Sequence, residues 1–213
     1  ALMLPGRLLD TDADDGPHAS LLGALHQRLK RSGEPLIREA LRRAMAILGE
    51  QFVMGRTIDE ALARAGKGAE ADYRHSFDML GEAARTADDA AVYLARYEEA
   101  IAAVGRAANG AGPIDGPGVS IKLSAVHPRF EPAQTRRLHD ELLPRLIGLA
   151  RAAAQQDIGL TIDAEEAARL DAQLELLAAL LAALQDDPAL AHWQGLGIAV
   201  QAYQRRAPAV LDL

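Results

Sequence analysis

Residues 118–128 read GVSIKLSAVHP. Alternate residues of a strand point to opposite faces. Laid out as a strand over 119–125, this stretch puts Val119, Ile121 and Leu123 on one face and Ser120, Lys122 and Ser124 on the other. An ammonium among apolar neighbours needs a polar face or a counter-charge. Three further segments split in the same way. RHSFDML (74–80) sets Phe77 and Met79 against Ser76 and Asp78. GLTIDAE (159–165) sets Leu160, Ile162 and Ala164 against Thr161, Asp163 and Glu165. GIAVQAY (197–203) sets Ile198, Val200 and Ala202 against Ala199, Gln201 and Tyr203.

Helical patterns separate these strands, over 86–107, 132–156 and 165–185, with a fourth beginning near Pro208. Thr86 with Asp89 caps the first, and Pro132 suits the start of the second. The strand centres Asp78, Lys122, Asp163 and Gln201 recur about every 40 residues, the period of a β/α unit, which implies a parallel sheet. A doubly wound sheet is covered by helices on both faces and its strands read as continuous apolar runs. A (β/α) barrel keeps helices outside and tolerates polar groups inside, near the C-terminal strand ends. The parity favours the barrel. The expected fold is α/β: an N-terminal helical segment over 1–68, then the first four β/α units of a (β/α)8 barrel over 69–213. Within the helical segment, helices are expected over 20–31, 35–49 and from Thr57, where Thr57 and Glu60 have capping-box spacing. The chain opens on ALMLPGRLL without an initiator Met and stops at APAVLDL, at the start of a helix. A fragment of a longer protein is expected.

The net charge of −7 argues against a phosphate footprint, so nucleic-acid binding is not expected of this segment. The absence of cysteine rules out disulfides and thiolate metal sites and fits a cytoplasmic protein. No apolar run approaches the roughly 20 residues of a membrane span.

On the barrel reading, Asp78, Lys122, Asp163 and Gln201 converge at the C-terminal end of the sheet. Glu82 follows one turn past the first strand, and Glu165 ends the third. Unpaired buried charges are costly, so Lys122 is expected to pair with Asp78 or Asp163, or to meet an anionic substrate. Mutual neutralisation without function is the competing account. His75 and His127 could join these acids in a metal site, but no HxH or HExxH spacing supports one, and loop polarity explains His127 more simply. No metal is expected. NGAGPIDGPG (109–118) fits neither GxGxxG nor the P-loop and reads as a helix-to-strand loop. Arg205 and Arg206 read as surface or pairing groups.

The stretches EPLIREALRRAMAILGEQFVMGRTIDEALARA, SFDMLGEAARTADDA, GPGVSIKLSAVHPRFEP, IGLTIDAEEAARL and QGLGIAVQAYQRRAP carry a resemblance. From about Leu4 to the last residue the chain resembles the proline dehydrogenase domain of bacterial bifunctional proline utilization A. The resemblance implies a distorted (β/α)8 barrel that binds FAD non-covalently. It implies oxidation of L-proline to Δ1-pyrroline-5-carboxylate, with electrons passed to a membrane quinone. By motif, Lys122 matches the lysine that helps hold the substrate carboxylate, and Asp163 an active-site acid. Gln201 matches a glutamine bonded to the flavin ring. Asp78 and Glu82 match acids of the first strand end, the glutamate pairing with arginines of the family's last helix. The resemblance also implies an aldehyde dehydrogenase domain in the parent protein and leaves open a homo-oligomer and peripheral docking at the inner membrane. The family's later strands lie beyond Leu213, so the chain alone is expected to bind FAD poorly and to be inactive. On the residues alone, a metal-dependent barrel hydrolase or lyase and a non-catalytic scaffold stay open.

Overall fold

A computed structural model describes residues 35, 37–47, 49, 52–80 and 83–213. The helix expected over 20–31 lies outside the described residues. The chain divides into two compact units, Ala1–Val53 and Met54–Leu213. In the first, residues 37–47 are helical, and Arg43 reaches Glu39 one turn back at 3.2 Å.

The second unit opens with α1 (Ile58–Ala65), whose N-cap Thr57 accepts the Glu60 N–H. The Glu60 carboxylate takes the N–H of Arg56 at 2.8 Å instead of that of Thr57, so half of the expected capping box sits one residue out of place. Strand β1 (Ser76–Asp78) follows. Helix α2 (Ala87–Ala108) has the full box: Thr86 accepts the Asp89 N–H at 3.1 Å, and Asp89 accepts that of Thr86 at 3.0 Å. The hydrogen bonds from Thr86 hold the Asp89 carboxyl below its usual range. Strand β2 (Gly118–Ile121) leads into a buried helical turn, Leu123–Val126.

The next helix starts at Thr135, passes through a π turn at Leu138–Leu142 and continues as α3 (Leu143–Gln155). Pro144 accounts for the π turn. It has no N–H for the Asp140 carbonyl, and its ring would press on that carbonyl in a regular helix. The wider turn moves the Leu143 N–H onto the Leu138 carbonyl and opens the needed space. Strand β3 (Gly159–Ile162), α4 (Leu170–Gln185), β4 (Leu196–Ile198) and α5 (Ala207–Leu211) complete the unit.

The four strands form one parallel sheet in the order β1-β2-β3-β4. The order is sequential, without the reversal that marks a doubly wound sheet. Val119, Ile121, Leu160 and Ile162 are buried in one core with Ile101 and Val104 of α2, Leu146 and Leu149 of α3, and Leu176 and Leu180 of α4. The opposite parity is polar: Ser76 and Ser120 join hydroxyls at 3.0 Å across β1 and β2. Gly118 and Gly159 face each other in register, where a Cβ on Gly118 would stand 2.8 Å from the Gly159 carbonyl oxygen.

The strands are three or four residues long, shorter than the seven read from the sequence. LSAV (123–126) leaves the sheet as a helical turn, because a short apolar run is compatible with either conformation. Gln201 is therefore not a strand centre; it lies three residues past the end of β4. The Gly-rich 109–118 segment contains a helical turn, Gly112–Asp115.

Candidate active site

Asp78 is the last residue of β1, Lys122 follows β2, and Asp163 follows β3. In the parallel register Asp163 continues level with Lys122, while Asp78 stands opposite Ser120, two residues earlier on the same face of the sheet. Lys122 Nζ lies 2.5 Å from Asp78 Oδ2 and 2.9 Å from Asp163 Oδ2. The sequence offered one partner or the other; the lysine takes both. Its side chain is 12% exposed, against 37% for Asp78 and 29% for Asp163, so the cation is the most deeply set of the three. Burial alone would push the ammonium toward losing its proton. Hydrogen bonds to Asp78 and then Asp163 outweigh burial and raise Lys122 above the ordinary lysine value. One ammonium between two carboxylates gives the trio a formal charge of −1, which suits a zwitterion better than a simple anion.

The backbone under this trio is fastened from several sides. The Asp163 N–H donates to the Ile121 carbonyl at 2.8 Å, and buried Gln173 donates to the Asp163 carbonyl at 3.1 Å. Glu165 is bonded to the turn after β2 and to Arg169. Its side chain is 8% exposed, accepts the Ser124 N–H at 2.9 Å and receives Arg169 at 2.9 Å. Arg169 also reaches Glu166 and lies over the Phe130 ring. Glu165 thus caps the start of the Leu123–Val126 turn from a neighbouring strand end. Arg145 donates to the Val126 carbonyl at its other end.

Two histidines weighed as metal ligands are engaged otherwise. His127 is buried, not a solvated loop residue. Its Nδ1 accepts the Arg129 N–H, which leaves the ring proton on Nε2 facing Glu141 at 3.2 Å. His75 Nε2 lies 2.9 Å from the Glu70 carbonyl. Among the described residues, no three His, Cys, Asp or Glu form a group able to hold a metal ion. Glu82 lies outside the described residues. The Gln201 amide oxygen accepts from Gln204 at 2.5 Å and from Tyr203 at 3.3 Å, both in its own loop. Arg206 pairs with Asp171 at 2.5 Å, as expected of a surface group.

Sequence reasoning missed Tyr97. It is fully buried on α2, and its hydroxyl accepts the backbone N–H of Lys122 at 3.1 Å. Burial pushes its own pKa up to about 12. A signal was present: it lies on the Ala/Ile/Val face of α2, which it shares with the partly buried Tyr93, and a buried tyrosine needs a partner for its hydroxyl.

The family model for proline dehydrogenase matches residues 61–213. The chain is 51% identical to the bifunctional protein PutA of Salmonella typhimurium over 211 residues, and 46% identical to that of Rhizobium meliloti. It spans 15% of the length of the first and 16% of the second. Among solved structures, a proline utilization A variant from Bradyrhizobium japonicum matches 86% of this chain at 50% identity with a TM-score of 0.68, the chain covering 18% of that protein. A proline utilization A structure from Bdellovibrio bacteriovorus has the same fold at 22% identity, with a TM-score of 0.72. The family match covers both the parallel sheet and the Asp78–Lys122–Asp163 trio at its carboxyl edge; the chain belongs to the proline dehydrogenase family.

Proposed function

We propose that the polar face of this sheet is one wall of a flavin-dependent proline oxidation site in a (β/α)8 barrel. The observation that carries the reading is the trio itself, set at the carboxyl ends of three adjacent parallel strands, where barrel active sites lie. Sequential strand order and an apolar face packed on helices support the barrel. L-proline is a zwitterion. Lys122 is assigned to its carboxylate, with the family's later arginines supplying the further positive charge that a trio of −1 needs to hold an anion. Asp78 and Asp163 keep Lys122 protonated and aimed. Glu82 is assigned, by motif, to pairing with those arginines.

Gln201 is the residue proposed to hold the FAD ring. It leaves β4 at the same edge of the sheet from which the trio leaves β1–β3, and its amide group offers both a donor and an acceptor. The donor set of the described residues fits one side of such a site. When bound, the flavin supplies a two-electron acceptor for the hydride leaving the proline ring. This chain's residues supply charge and orientation. The quinone acceptor and a second catalytic domain rest on the likeness to bifunctional relatives. Peripheral docking at a membrane that holds the quinone belongs to the same proposal; no described helix is long and apolar enough to cross a membrane. A cytoplasmic location belongs to the same proposal.

The test is proline-dependent reduction of a dye acceptor by the full-length protein that carries this chain. Removing a charge-assisted contact costs about 1.5–3 kcal/mol, or roughly 10–100-fold. Lys122→Ala is expected to raise KM for proline by that factor. An unchanged KM would refute the assignment. The 213-residue chain alone is expected to show no proline-dependent reduction; dye turnover by it would overturn that part of the reading.

A further inference from the structure

Lys122 stands where the chain leaves β2 for the Leu123–Val126 turn. Its carbonyl already accepts the Ala125 N–H of that turn. Its N–H lies between the fully buried neighbours Ile121 and Leu123. A peptide N–H in that setting needs an acceptor. The Tyr97 hydroxyl, brought from α2, supplies one at 3.1 Å.

We propose that Tyr97 is a positioning residue for Lys122: its hydroxyl fixes the backbone at the strand end, so that the ammonium reaches Asp78 and Asp163 together. The helix carrying it packs against both β2 and the following turn, so the anchor is tied to the same core as the strand. The mechanism gives Tyr97 no contact with substrate; it acts through Lys122. The kinetic consequence rests on the proline reading above, while the placement does not.

Tyr97→Phe keeps the ring and removes only the acceptor, so it separates positioning from core filling. In the full-length protein, hydrogen exchange read at single amides by mass spectrometry is expected to be about tenfold faster at Lys122 in Tyr97→Phe, the equivalent of one lost hydrogen bond. The Val119 and Ile121 amides are expected to exchange at the wild-type rate. No change at Lys122, or an equal acceleration along β2, would overturn the proposal. Kinetically, Tyr97→Phe is expected to raise KM for proline several-fold and to add nothing in a Lys122→Ala background. Additive effects of the two substitutions would also overturn it. If Lys122→Ala itself leaves KM unchanged, the proline assignment falls, and the exchange rates still decide the role of Tyr97.

Discussion

The ammonium of Lys122 separates two carboxylates that a neutral side chain would leave facing each other. Lys122→Met would leave both carboxylates without the cation between them, an expected loss of about 1–3 kcal/mol in urea unfolding. Unchanged stability would count against the trio. The wild-type lysine is held above its ordinary value, so on the lysine's side the stability from its pairing is fully present below 10.5 and is lost as pH rises through the raised value. A pH–rate profile should therefore show no lysine-type loss below 10.5. Strand parity made Lys122, Asp78 and Asp163 legible in the sequence, since alternate positions set all three against apolar partners. It could not show that one lysine takes both acids, because that depends on the register between three strands. Nor could it show Tyr97, whose role depends on a backbone N–H.

At the scale of elements, charge sits at helix ends and turns. Glu165 shares its strand's polar parity, which is why the sequence grouped it with the trio. The chain leaves β3 at Ile162, however, and alternation no longer governs a residue three positions further on. Glu165→Ala would strand the Ser124 N–H and take one of two carboxylates from Arg169, an expected loss of about 1–3 kcal/mol in urea unfolding. A loss below 0.5 kcal/mol, the size of an ordinary surface change, would show that the brace is incidental. The N-cap of α2 was readable outright, because Thr86 and Asp89 satisfy a local rule; Thr86→Ala should cost about 1 kcal/mol by the same measurement. The π turn was not readable as such. Pro144 marks a disturbance, but only the Leu143–Leu138 bond reveals which one. Arg137 and then His127 hold the Glu141 carboxyl below its usual range, so their contribution to stability is present above pH 4.5 and lost as pH falls through the depressed value.

Across the whole second unit, the sheet places its chemistry by register. Gly118 and Gly159 let β2 and β3 approach at their starts, and Gly118→Ala would press a methyl group onto the Gly159 carbonyl. Overpacking of this kind costs about 1–3 kcal/mol and would loosen the register that aligns Lys122 with Asp163. The four-unit β/α order was legible because the hydrophobic period switches between 2 and 3.6 along the chain. Strand lengths were not, because a ladder ends where its neighbour turns away. On the proposed function, proline is held at the carboxyl edge of this sheet. The most direct measurement is a crystal structure of the full-length protein with a non-oxidisable five-membered cyclic carboxylate bound. The ligand carboxylate is expected within hydrogen-bond distance of Lys122 Nζ, on the Asp78–Asp163 face of the sheet. A carboxylate bound elsewhere, with the trio untouched, would contradict that function.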